Sequence, residues 1–595
     1  MKNRILISFS LLFCITAFAQ TSYEISFENA VHHEAKINAV FSNISSDTLT
    51  VRMARSSPGR YAIHEFAKNV YGFKATDSKG NKLRINRKDP YSWQLNSHDG
   101  TVKITYTLFA DRGDGTYAQV DETHAHLNIP ATFMYAPELA EKEITVDFMV
   151  RKDLNWKVAT QLPLVSGTTY SAPNLQYFMD SPTEISDFTL RKYEVNGQQI
   201  QMALHHNGTD EEADAYFEKV KKTILEEKEV YGELPDFDYG TYTFLACYIP
   251  NASGDGMEHR NSTILTSTRS LADGGMDRNI GTVSHEFFHA WNVERIRPKS
   301  LEPFDFSKAN MSGALWFAEG FTSYYTNLIL CRAGLISQEN YVEGLAGTFN
   351  YVWNSPGREF FNPIEMSYQA PFVDAATSVD PVNRGNTFIS YYSYGSVLGL
   401  ALDLSLRQKN LNLDDYMKLV WQTYGKKELP YTIQDSHKTL NKYAGKAFGD
   451  AFFNLYIYKS EMPDYKTLFE SVGVVLNQDL DVPYFGVNAE LDGDGNGEIN
   501  DYPKIGSPAY KAGLTSGDII TAINDTPYPD GMRFNEFIKQ FKVGANLKIY
   551  YIRYGVPKTI VVTLEADPSY SIDLVEKTEQ NPTEKILAQR NKWLQ

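Results

Sequence analysis

Apolar and polar positions alternate along the first third of the chain. Residues 39–41, 48–51, 102–106 and 144–150 are short β-branched or alternating runs, the period of two expected of half-buried strands. Turn formers such as Asp77-Ser78-Lys79-Gly80-Asn81 and Asp111-Arg112-Gly113-Asp114-Gly115 separate them. The period changes at Thr209. From there to Tyr231 an N-cap threonine, acids in the first turn and a stripe of Ala213, Phe217, Val220 and Ile224 predict a long amphipathic helix. A strand is predicted over 241–249, and helices over 315–325, 338–352 and 411–425. Residues 363–386 lack a clear period and are expected to line a cleft. Short strands return after 484, at 547–551 and 559–564. The pattern predicts a multidomain α+β chain: a β-rich domain over 20–192, a mostly helical domain over 193–480, a small β domain over 481–570, and a loose polar tail over 571–595 with at most one short helix.

Composition narrows the possibilities. At 595 residues several domains are expected, and 38 Tyr and 34 Phe supply ample core. A net charge of −16 argues against nucleic acid or an anionic membrane as partner. Residues 1–19 read as a secretory signal: Lys2 and Arg4, an apolar run, then Ala17-Phe18-Ala19 before Gln20. That run is too short for an ordinary span, and no later stretch is a membrane-span candidate. Export to a periplasm or beyond is the expectation. Cleavage would remove Cys14, leaving Cys247 and Cys331, which are expected to be buried free thiols.

The chemistry centres on Ser284-His285-Glu286-Phe287-Phe288-His289. On a helix His285 and His289 face the same way and can ligate one zinc ion, with Glu286 beside the open position as general base. A third ligand is needed. Glu319 follows His289 by 30 positions, in a run that is otherwise apolar (Trp316, Phe317, Phe321), where a lone carboxylate is costly unless paired or metal-bound. In the β region His32, His33, His124 and His126 show no closed-site spacing, and no catalytic constellation is apparent.

The segment His285 to Pro298 (His-Glu-Phe-Phe-His-Ala-Trp-Asn-Val-Glu-Arg-Ile-Arg-Pro), followed by Trp316-Phe317-Ala318-Glu319-Gly320-Phe321, resembles the glycyl aminopeptidase family of zinc metallopeptidases. The resemblance implies a thermolysin-like catalytic domain and often a C-terminal PDZ domain. Ser57-Pro58-Gly59-Arg60-Tyr61 resembles a segment of that family's N-terminal β domain. Gly256-Met257-Glu258 resembles the stretch that runs along the cleft of related aminopeptidases, where the glutamate binds the substrate's free amine. A carboxylate fixed one residue from the metal would measure off one amino acid; Arg260 could instead neutralise it. Tyr392-Ser393-Tyr394-Gly395 resembles a Tyr-x-Lys-Gly helix entry whose tyrosine donates to the oxyanion. Tyr394 replaces the usual lysine, and Tyr391 is the alternative donor. The resemblance also implies a preference for N-terminal Gly or Ala.

Tyr484-Phe485-Gly486-Val487 matches a PDZ carboxylate-binding loop, and residues 506–520 match the helix and turn of protease-associated PDZ domains, so a peptide C-terminus is an expected partner. Asp492, Asp494 and Asn496 copy half of a calcium loop, but Pro503 stands at the twelfth position, so a plain polar hairpin is the favoured reading and a calcium ion, with Asp501 as a substitute ligand, the alternative. Taken together these features predict a zinc aminopeptidase acting on peptides. The alternatives are a zinc endopeptidase whose substrates are recruited by the PDZ domain, and a peptide-binding protein with a vestigial site.

Overall fold

A computed structural model describes residues 19–373, 380–528, 532–578 and 580–595. The expected signal run, apart from Ala19, lies outside these residues. Contacts divide the chain into two units. The first comprises residues up to Ala54, Glu65–Arg112 and Tyr117–Asp187; the second takes Arg55–His64, Gly113–Thr116 and everything from Phe188. The division falls before residue 192 because Thr189–Val195 already pairs with Gln198–His206, opening the second unit's sheet.

The alternating runs of the first unit become a seven-stranded sheet, a four-stranded sheet and a three-stranded sheet. Glu34–Phe41 shows why: every second residue is buried, the pattern of a strand with one face in a core. It pairs antiparallel with Thr21–Ser26 and with Val102–Phe109.

In the second unit five strands form one sheet: β1 (Thr189–Val195), β2 (Gln198–His206), β3 (Thr241–Tyr248), β4 (Asp255–His259) and β5 (Ser262–Ser267). Their order is β1-β2-β3-β5-β4, so β4 is an edge, paired on one side only, antiparallel to β5. Between β2 and β3 runs α1 (Asp210–Tyr231), its start closed by a capping box of Thr209 and Glu212. A helical layer covers the sheet: α2 (Met276–Phe288), α3 (Gly320–Arg332), α4 (Gln338–Trp353) and α5 (Tyr391–Arg407). One aromatic-rich core joins sheet and helices, with Trp291 stacked on Tyr231 at 4.8 Å and Phe288 on Tyr325 at 4.7 Å.

Helices α3 and α5 approach backbone to backbone. A side chain at Gly395 would run into the Trp316 carbonyl, and one at Gly320 into the Gly395 backbone. Only glycine permits this crossing, and it sets the start of α5 beside Glu319.

Residues 485–564 have a core of their own, built on Phe485, Ile499, Leu514, Ile520, Ile549 and Val562. They attach to the helical layer by polar contacts. Asn386 Nδ2 donates to the Pro503 carbonyl at 3.0 Å, and its Oδ1 accepts from the Ile505 amide at 2.8 Å. Among the described residues, the irregular 363–386 stretch contributes none to the cavity around His285 and Glu286. Its described parts are short helices, and Asn386 meets the PDZ region; residues 374–379 lie outside the described set.

The tail differs from the expectation. Tyr570–Leu574 pairs with Val474–Gln478, and α6 (Glu584–Leu594) ends in a fully buried Trp593. Its indole donates to Tyr324 Oη at 3.0 Å, and Arg332 Nε to the Trp593 carbonyl at 3.0 Å. Arg590 donates to the Val472 and Gly473 carbonyls and pairs with Glu576. The polar composition of 571–595 hid this docking, because Trp593 and Leu594 are the only large apolar residues buried on the helix and Arg590 is buried beside them.

Residues 490–498 form the plain hairpin. Asp492 Oδ1 accepts the Asp494 and Asn496 amides at 2.9 and 2.7 Å, and Oδ2 faces Asn496 Nδ2 at 3.3 Å. Both oxygens serve the turn of a hairpin between Glu490–Leu491 and Gly497–Glu498. Asp492 and Asp494 join no cluster suited to a metal among the described residues.

Candidate active site

The residues of the two motifs converge. His285 and His289 lie one turn apart at the end of α2, and Glu319 sits just before α3, where two helical stretches meet. One ligand atom from each lies within 4.8 Å of the others; Glu319 Oε2 is 3.7 Å from His285 Nε2 and 3.2 Å from His289 Nε2. The outer ring nitrogens are engaged. His289 Nδ1 is 2.5 Å from the Asn292 carbonyl, which can only accept. His285 Nδ1 is 3.1 Å from Thr326 Oγ1, whose own proton goes to the Thr322 carbonyl. Both Nδ1 atoms therefore carry the hydrogen, and both Nε2 lone pairs face Glu319. Two imidazole nitrogens and one carboxylate oxygen, converging from a buried wall, fit zinc.

The surroundings hold this set in place. Asn292 Nδ2 donates to the Phe317 and Ala318 carbonyls at 3.2 and 3.1 Å, tying the end of the histidine helix to the turn that carries Glu319. Tyr61 Oη donates to Glu319 Oε1 at 2.5 Å. One oxygen of Glu319 is thus taken by a phenol while the other faces the histidines. Burial alone would raise the Glu319 carboxyl, but His289 and His285 outweigh it and hold the group ionised well below the usual range.

Glu286 is 6% exposed, and its Oε2 has no hydrogen-bond partner among the described residues. Burial, partly offset by His289 and reinforced by Glu258 and Glu319, pushes its carboxyl up to about 8. β4 runs directly across α2: a side chain on Gly256 would strike Glu286 and Thr282. The same strand brings Glu258 in, so that carboxylate oxygens of Glu258 and Glu286 and a nitrogen of His289 lie within 4.8 Å of one another. Glu258 is 5% exposed and meets no lysine or arginine among the described residues. Arg260 does not neutralise it; it pairs with Asp238 at 2.7 Å and Glu428 at 2.8 Å. Gly59, at φ +76°, lies against Met257 and Glu258 where any side chain would collide.

At the start of α5 the Tyr392 ring lies 5.9 Å from the His285 ring and 4.8 Å from Tyr391, which meets Tyr61 edge-on at 6.1 Å. Burial, with the Glu319 charge, raises the Tyr392 phenol well above its ordinary value, so it remains a donor at neutral pH. Tyr394 turns into the core and is fully buried. A cavity of about 240 Å³ opens among Gly256, His285, Glu286, Tyr61, Tyr391 and Tyr392. Tyr61 and Arg60 are the residues that sequence reasoning passed over. Their segment was noted, but nothing in its spacing connects it to Glu319. Arg60 donates through Nε to Thr116 at 2.6 Å and forms an ion pair with Asp255.

The M61 peptidase N-terminal domain matches residues 22–187, the M61 glycyl aminopeptidase domain residues 278–398, and a PDZ domain residues 485–564. The chain belongs to the M61 peptidases. The M61 match spans His285, Glu286, His289, Glu319 and Tyr392, and the protein is a metallopeptidase with an N-terminal β-rich domain and a C-terminal PDZ domain. Among curated proteins no relative matches. The crystal structure of an aminopeptidase N family protein from Idiomarina loihiensis shares the fold, with a TM-score of 0.84 and 23% identity over 97% of this chain and 100% of that one. An M1 zinc metallopeptidase from Deinococcus radiodurans, in a mutant form bound to a Tyr-Ser-Ala substrate, is more distant, with a TM-score of 0.43 and 10% identity over 75% of this chain and 95% of that one.

Proposed function

We propose that this M61 peptidase is a zinc aminopeptidase that removes single residues from peptide N-termini. The observation that carries the reading is Glu258: a buried carboxylate without a lysine or arginine partner among the described residues, within 4.8 Å of both the base and a histidine ligand. A substrate ammonium satisfies it and sets the scissile bond one residue away. His285, His289 and Glu319 would hold the zinc, which when bound polarises the scissile carbonyl and acidifies water.

The protein's own groups supply the rest. The open edge of β4, at Gly256 and Met257, pairs with the peptide backbone and aligns it. Glu286 accepts the proton of the attacking water and passes it to the leaving amine. Tyr392 donates to the developing oxyanion; Tyr391, 1% exposed, supports its ring. A preference for Gly or Ala at the first position rests on the family match. The PDZ domain would take a peptide C-terminus at the Tyr484–Val487 loop, as a strand beside Glu490–Leu491, above a cavity of about 680 Å³ bordered by Phe534 and Glu536. Export rests on residues 1–19 and predicts a mature chain beginning at Gln20.

Glu286→Gln tests the base. The expected result is a loss of turnover of about 10²–10⁴-fold with zinc content unchanged; near-normal rates would remove the role.

A further inference from the structure

Beside the catalytic cavity lies a second one of about 410 Å³, and the two share Asp255 and Gly256. Its walls include Arg269, Arg278, Asn279, Thr282 and Ser267. Both arginines are exposed, and neither makes an ion pair or a side-chain hydrogen bond among the described residues. Two guanidinium groups thus line one cavity without a carboxylate partner among the described residues. The nearby acids are engaged: Asp255 with Arg60, Asp277 with Lys219, and Asp273 with the Ser270 hydroxyl at 2.7 Å. The frame is fixed as well. Asn279, 6% exposed, donates to the Arg269 carbonyl at 3.2 Å, and the Arg269 amide donates to Ser267 Oγ at 3.1 Å.

The cavity's position relative to Glu286 gives it meaning. Arg278, Thr282 and Glu286 are spaced four apart along one face of α2, with β4 alongside. At about 1.5 Å per residue, Arg278 lies roughly 12 Å back along the helix from Glu286. An extended peptide covers that distance in about three or four residues. With the amine held at Glu258, β4 carries the peptide past Gly256 and Asp255 towards the arginines.

We propose that Arg269 and Arg278 form a subsite for a peptide carboxylate three to four residues downstream of the cleaved bond. This rests on the aminopeptidase reading for its direction. The subsite would direct the enzyme to short peptides, through the C-terminal carboxylate, or to acidic side chains at the same distance. Guanidinium groups suit either source, because they bind carboxylates in a planar, two-bonded geometry.

The test compares kcat/KM for Gly-Ala-Ala-Ala-Ala as free acid and as C-terminal amide, and for Gly-Ala-Ala-Asp-Ala-amide and its Asn counterpart. Wild type is set against the double variant Arg269→Gln, Arg278→Gln. Glycine p-nitroanilide, too short to reach the arginines, reports the catalytic centre alone. The expected result is about a tenfold preference for the free acid or for Asp over Asn, the pair that discriminates identifying the source, and loss of that preference in the variant with anilide hydrolysis unchanged. Equal rates across both pairs in wild type, or a preference that survives in the variant, would overturn the proposal. Discrimination by wild type without anilide hydrolysis would count against the aminopeptidase reading and leave the subsite standing.

Discussion

Tyr61 shows how much one side chain from a distant part of the chain decides. Its hydroxyl takes Glu319 Oε1, leaving Oε2 to the histidines. Tyr61→Phe is expected to weaken zinc binding by about 10–100-fold, read by competition with a chelator, and to lower kcat as ligand geometry loosens. An unchanged zinc affinity would make Tyr61 a packing residue only. His285, Glu286 and His289 were legible because helical spacing itself places them together, and Glu319 because an acid in an apolar run needs a partner. Tyr61 was not legible: it lies 258 positions from Glu319, and only the folded backbone connects them. Asn292 and Thr326 escaped for the same reason, since a group that only orients a ligand carries no spacing signature.

At the level of elements, strong periods were read correctly. The 209–231 stripe became α1, with Thr209 as its cap, and the alternating runs at 39–41 and 102–106 became paired strands. What periodicity does not show is how closely two elements approach. The Gly320–Gly395 crossing is a property of the pair, and nothing in either helix alone requires it. Gly395→Ala should separate α3 from α5, costing about 1–3 kcal/mol in a denaturant midpoint series. It should also lower kcat more than zinc content, because Tyr392 moves with α5 while His285 and His289 stay on α2. A stable, fully active variant would mean the crossing has slack. Edge strand β4 follows a similar logic: the resemblance implied a stretch running along the cleft, and pairing with β5 makes it a strand.

For the whole molecule, the unexpected feature is the chain's end. Trp593 lies in the same core as the helices around His285, His289 and Glu319, against Tyr324 of α3. Trp593→Ala is expected to cost about 3–5 kcal/mol, measured as a fall in unfolding free energy. Because α6 docks on the helical layer and not in the cleft, kcat of the still-folded fraction should be unchanged. The tail's composition concealed this, since burial is decided by the surface that receives Trp593 and a stretch of Lys, Glu and Gln gives no sign of it. The PDZ fold, by contrast, was legible from its own residues, because its core is local to 485–564.

The measurement that bears most directly on the account is cleavage of Gly-Ala-Ala-Phe with a free and with an acetylated amine, with and without a zinc chelator. The account predicts chelator-sensitive release of glycine from the free peptide and none from the acetylated one. It also predicts that Glu258→Gln sharply reduces cleavage of the free form, since the ammonium loses its partner. Equal cleavage of both peptides by wild type would contradict Glu258 as the amine anchor and make the protein an endopeptidase on the same zinc scaffold.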